Sequence, residues 1–162
     1  MTQKLDLLLK GGHVIDPTNE IDGKYDVGIK HGRIARVENF IDNTDAEKSI
    51  DVENLVVTPG LIDMHVHAYH TRIHKEGNTV GSLNADAHFL KEGVTTCVDT
   101  GTSGADEMQH FRETVIDKSK TRVLAYVNIS KPGMGDHEQL VSNLVPEQAA
   151  EAASSHDDVV VG

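Results

Sequence analysis

Ten histidines stand among the 162 residues, and two of them carry the chemical signal. They lie in Asp63-Met64-His65-Val66-His67. In a strand, residues i and i+2 face the same side. His65 and His67 would therefore hold their imidazoles side by side, as half of a site for a divalent metal. The spacing alone also describes two partly exposed histidines, so the flanks matter. Pro59-Gly60-Leu61-Ile62 leads into the pair, and a mostly apolar run that ends in two histidines reads as a strand with its ligands at the C-terminal end. His70 and His74 extend the pattern to His-x-His-x-x-His-x-x-x-His. They read either as loop contacts to substrate or metal or, more simply, as solvated loop histidines.

Other polar groups flank this centre. Asp63 shares the face of the pair and is a candidate to orient an imidazole, though a structural hydrogen bond serves equally. Asp99 ends a second apolar run and is read as capping the Gly101-Thr102-Ser103-Gly104 segment that follows. That segment resembles an anion cradle at a helix start, but the simpler reading is a turn with Ser103 as helix cap. Asn128 and Ser130 end a third run on one side of it and are candidates for substrate contact. Cys97 lies inside a run and reads as core packing.

The elements that must position these groups come in two styles. Up to residue 57, short alternating stretches at residues 5–10, 13–15, 25–29, 33–37, 50–52 and 55–57 are punctuated by Gly-Gly, Asp-Pro and His-Gly, which predicts a small β-sandwich. After Thr58-Pro59-Gly60 the pattern becomes strand, helix, strand, helix. Strands are expected at residues 61–67, 94–99, 123–127 and 159–161. Helices are expected at residues 85–93, 105–119 and, more weakly, 138–154. Met108, Phe111 and Val115 mark the buried face of the second helix. Such alternation predicts βαβ units and a parallel sheet. The expected fold is α/β: an incomplete TIM-type (β/α)8 barrel of about three to four units at 58–162, preceded by the sandwich at 1–57. A complete barrel takes about 250 residues, so the chain reads as truncated inside its fourth barrel strand.

Composition excludes other classes. The net charge is −11, unsuited to a phosphate backbone, which needs clustered Lys and Arg; no nucleic-acid partner is expected. No apolar run approaches the ~18 residues of a membrane span, and no secretory signal opens the chain, so no membrane partner is expected either. A single cysteine makes a reducing cytoplasm the expected compartment.

Val57-Thr58-Pro59-Gly60-Leu61-Ile62-Asp63-Met64-His65-Val66-His67 resembles the first barrel strand of the amidohydrolase superfamily. Leu8-Leu9-Lys10-Gly11-Gly12-His13-Val14-Ile15-Asp16-Pro17 and Asp26-Val27-Gly28-Ile29-Lys30-His31-Gly32-Arg33-Ile34 resemble its cyclic-amidase branch, which includes dihydroorotases, hydantoinases and D-aminoacylases. The segment from His88 through Gly93-Val94-Thr95-Thr96-Cys97-Val98-Asp99-Thr100-Gly101 is similar to the amidohydrolase/deacetylase subfamily, whose members are often labelled dihydroorotase, as are Ser103-Gly104-Ala105-Asp106 and the stretch from Arg122 to Ser130.

The resemblance implies a binuclear site, usually zinc, with His65 and His67 on the more buried metal. The bridging carboxylated lysine, two further histidines and the proton-shuttling aspartate are expected beyond residue 162, so no catalytic residue is assigned within the chain and the isolated 162 residues are expected to be inactive. It implies hydrolysis of a small-molecule amide or acyl ester by a metal-activated water, with the aspartate passing the proton to the leaving group. Tyr69 stands where dihydroorotases carry a carboxylate-binding arginine, and Arg72 is off register. A deacetylase-like acyl hydrolase is therefore preferred to a dihydroorotase- or hydantoinase-like ring opener. An inactive remnant or non-catalytic partner is the third reading. Tyr69, His70 and Asn128 are the substrate-side candidates, Cys97 is not in the loop position of the D-aminoacylase cysteine, and a homo-oligomer is expected for the full-length protein.

Overall fold

In a computed structural model of the chain, the described residues are 4–72 and 81–162. His74 lies outside them. The chain divides into two compact units, Met1–Pro59 and Gly60–Gly162, each with its own core.

The first unit is one mixed sheet. Its strands are β1 (Leu7–Asp16), β2 (Ile21–Lys30), β3 (Arg33–Glu38), β4 (Ser49–Asp51) and β5 (Val56–Val57). The order is β3-β2-β1-β4, with β5 also pairing β1. β1, β2 and β3 run antiparallel, whereas β4 and β5 join β1 in parallel. No second sheet layer is formed among the described residues of this unit. His31 (φ 51°) and Gly32 (φ 70°) occupy the two central positions of the β2–β3 turn, the left-handed pair that matches the twist of a hairpin. The Asp6 carboxylate holds that turn by accepting from the Lys30 ammonium and the His31 N–H, each at 2.6 Å. Gly11-Gly12 does not end a strand as expected. It forms a bulge in a continuous β1, with Gly11 at φ 75° and the register shifted between Leu9 and Gly12.

The second unit is built from parallel strands β6 (Leu61–Val66), β7 (Val94–Gly104) and β8 (Arg122–Asn128), in that order across the sheet. Val160 bridges Ala125 in parallel, so the chain begins to pair a further segment beside β8. The helices are α1 (Ala85–His88), α2 (Met108–Thr114) and α3 (Pro146–Ser155). Val66, Cys97, Val123 and Ala125 from the strands meet Phe89, Met108, Phe111 and Val115 in one core.

Three helix boundaries differ from expectation. The stretch at 85–93 is α1 followed by a 3-10 turn at Leu90–Glu92, closed by Gly93 at φ 79°. α2 starts at Met108 rather than Ala105: β7 runs to Gly104, and within it the Asp99 carboxylate accepts the Thr102 N–H. Ser103 accordingly caps no helix; its hydroxyl donates to the Gly104 carbonyl. α3 starts at Pro146 rather than Glu138. The segment before it is drawn into extended pairing with the end of β8, through Lys131 N–H to the Asn143 carbonyl and Val145 N–H to the Ile129 carbonyl. Proline at the first helical position then opens α3.

Candidate active site

The C-terminal ends of β6 and β7 form the site. Their parallel register sets Val66 against Asp99, which brings the histidine segment beside the loop-like end of β7. The His65 ring is exposed, and His67 is half-buried. Their ring centres lie 6.1 Å apart with planes at 88°. An imidazole nitrogen ligates zinc at about 2.0–2.1 Å. Rings 6.1 Å apart are therefore near the outer limit for sharing one ion.

A hydrogen-bonded chain runs inward from His67. Its Nδ1 lies 2.8 Å from Thr102 Oγ1, and that hydroxyl lies 2.8 Å from Asp99 Oδ2. Asp99 also accepts the Ala68 N–H on Oδ2 and the Thr102 N–H on Oδ1, both at 2.7 Å. Asp99 and Thr102 are completely buried. Thr102 and its contact with His67 were not legible in the sequence. The partners are 35 positions apart, and only the register of β6 on β7 brings them together. Asp63 accepts the backbone N–H of His65 at 3.1 Å, so its observed bond is to the main chain and not to an imidazole.

The donor set fits half a metal centre. Tetrahedral zinc takes four ligands; His65 and His67 supply two nitrogens. Among the described residues no group of three or more His, Cys, Asp or Glu side chains is arranged to hold an ion.

The other candidates are placed as follows. Tyr69, expected on the substrate side, is instead a core residue, 2% exposed, with its ring stacked 4.5 Å from that of Phe111 and its hydroxyl bonded to His110 Nδ1. Burial pushes its phenol up to about 12. Strand alternation ends at Val66, and Ala68 is anchored to Asp99, so the alternating pattern no longer assigns a face at position 69. His70 has both ring nitrogens engaged, Nδ1 with the Ala68 carbonyl at 3.2 Å and Nε2 with Asn84 Nδ2 at 3.3 Å. Asn128 ties β8 to β7 by donating to the Gly101 carbonyl at 3.0 Å and accepting the Ser130 N–H at 2.9 Å. Ser130 is buried, with no hydrogen-bond partner for its hydroxyl among the described residues. Cys97 is fully buried, and that burial, reinforced by the nearby carboxylates of Asp99, Asp63 and Asp86, pushes its thiol up to about 12. Arg72 is 5% exposed and commits its guanidinium to Glu107 Oε2 and the Met134 carbonyl, each at 2.6 Å, and to the Pro132 carbonyl.

A parallel α/β unit with a His-x-His pair at the C-terminal end of its first strand defines a class, and comparison with known proteins agrees. Residues 56–161 match the amidohydrolase family. The chain is 39% identical over 127 residues to a dihydroorotase of Elusimicrobium minutum, covering 78% of this chain and 28% of that protein. It is 32% identical over 116 residues to a deacetylase of Agrobacterium fabrum, covering 72% of this chain and 26% of that protein. Its fold is similar to the crystal structure of an adenine deaminase, with a TM-score of 0.78 and 31% identity over 98% of this chain and 40% of the other. A dihydroorotase structure matches with a TM-score of 0.80 at 24% identity, over 96% of this chain and 41% of the other. The chain belongs to the amidohydrolase family. It spans about a quarter of the length of these two curated relatives.

Proposed function

We propose that the protein carrying this chain is a metal-dependent hydrolase that cleaves an amide or acyl ester bond of a small molecule, with deacetylase-like chemistry. The observation that carries the reading is the pair His65 and His67 on one strand end, with His67 Nδ1 held from inside the fold. His65 and His67 would hold one metal, Zn2+ by the preference of imidazole sites. When bound, the metal supplies Lewis acidity. The chain's own part is to orient the His67 imidazole and to keep the base of the site dry, through the buried Thr102 and Asp99. The sheet β6-β7-β8 is read as the opening of a (β/α)8 barrel, and the first unit as one layer of a composite sandwich. The bridging lysine, the remaining histidines and the aspartate belong to the part of the protein beyond residue 162. A cytoplasmic homo-oligomer acting on a small-molecule substrate completes the reading.

The likeness to dihydroorotases favours ring opening as a second reading. Against it, neither residue near the carboxylate-binding position is free to bind a substrate carboxylate. Tyr69 is in the core, and Arg72 is committed to Glu107 and two backbone carbonyls. The test is the double variant His65→Ala, His67→Ala of the full-length protein. Loss of zinc and of acyl hydrolysis is expected. Unchanged zinc content with unchanged hydrolysis overturns the reading.

A further inference from the structure

We infer that Thr102 and Asp99 are positioning residues that set the tautomer of His67 and so decide which of its nitrogens is offered to a metal. The inference rests on the proposed metal site and adds the residues that prepare it.

A threonine hydroxyl has one proton to donate and two lone pairs. Both oxygens of Asp99 already accept backbone N–H donors, from Thr102 and from Ala68. The hydroxyl is therefore the donor in its 2.8 Å contact with Asp99 Oδ2. With that proton placed, Thr102 Oγ1 has only lone pairs left for His67, and in the 2.8 Å contact the donor must be Nδ1–H. A neutral imidazole carries one proton. A proton fixed on Nδ1 leaves Nε2 bare, and the bare nitrogen is the one that ligates a metal. Among the described residues the His65 ring has no such constraint; its bond is through the backbone N–H to Asp63. The two histidines are thus inequivalent before any ion arrives, with His67 fixed and His65 free to adjust. Full burial of Thr102 and Asp99 keeps water from competing for either bond.

The experiment uses full-length, metal-free protein labelled with 15N at histidine, together with zinc titrations. His67 resonances are assigned by their loss in His67→Gln. The expected result is a wild-type His67 carrying its proton on Nδ1. Thr102→Val keeps the shape and removes the acceptor; it should release the tautomer and weaken zinc binding by about 10- to 100-fold, the usual cost of losing such a partner. Thr102→Ser restores the hydroxyl and should restore both readouts. A residue with only a packing role would alter the melting temperature and leave the tautomer unmoved. Wild-type His67 protonated on Nε2 overturns the inference. So does zinc affinity in Thr102→Val equal to wild type, when His67→Gln has lost it. Zinc affinity unchanged in His67→Gln instead overturns the metal reading itself. Should Thr102→Val fail to fold, the wild-type tautomer decides alone.

Discussion

Arg72 shows how one residue can be polar, near the site and still structural. Its planar fork reaches Glu107, the Met134 carbonyl and the Pro132 carbonyl together, which stitches the segment after β6 to the turn after β7 and to the loop after β8. Replacing it by alanine leaves two carbonyls and a half-buried carboxylate without their donor. The expected loss is roughly 1.5–3 kcal/mol, the range for hydrogen bonds to a charged group, read as a lower midpoint in denaturant for the full-length protein. Arg72→Lys should recover little of it, because an ammonium cannot serve three divergent acceptors from one plane. A lysine variant as stable as wild type would show that charge alone matters there. The contrast with the histidines explains what was legible residue by residue. His65 and His67 are visible in sequence because they are two apart on one strand. The partners of Arg72 and His67 lie 35 or more positions away, and no local pattern encodes them.

Among the elements, strands were read more faithfully than helix ends. Alternation locates β2 and β3, and the Met108, Phe111 and Val115 stripe locates α2, because burial repeats with the period of the element. α2 and α3 start later than the sequence pattern suggests because β7 continues to Gly104 and residues 129–131, just past β8, pair with residues 143–145. The β1 bulge is likewise a tertiary feature. Buried Asp26 accepts from the Lys10 ammonium at 2.6 Å and from the Gly11 and Ile41 N–H groups at 2.8 Å each, locking the bulge to β2 and to the chain at Ile41. Burial alone would raise its carboxyl, but Lys10 and the two N–H donors outweigh that and hold it below the ordinary value near 3.8. A group whose folded value is depressed contributes stability above its unfolded value, about 3.9, and that contribution declines as pH falls through the folded value. Acid titration of stability should therefore show a loss below about pH 4 that is smaller in Asp26→Asn. Asp6, Glu38 and Asp42 are lowered too, through Lys30, Arg36 and Thr44 respectively, so the slope should shrink without vanishing. At neutral pH the variant should be less stable by roughly 2–3 kcal/mol. Identical acid profiles for the two proteins would remove Asp26 as a contributor.

At the scale of the whole molecule, the alternation of strand and helix after residue 60 is legible in the sequence, but what covers the second unit is not. β6 pairs only with β7, so its other edge has no strand beside it among the described residues. Leu61, Ile62 and Met64 on that strand are 54%, 64% and 73% exposed. An apolar strand with a free edge is a template for pairing with another chain, and contiguous exposed apolar surface promotes association. In the proposed full-length barrel, later strands would take up that edge. The 162-residue chain by itself should therefore self-associate, appearing by light scattering as species heavier than 17.6 kDa that grow with concentration. Charged substitutions at Ile62 and Met64 should shift the distribution toward monomer, since edge charges oppose strand addition. A monodisperse monomer that melts in one cooperative step would mean that the parallel sheet covers its own edge, and it would remove the main physical reason for placing the rest of the barrel beyond β8.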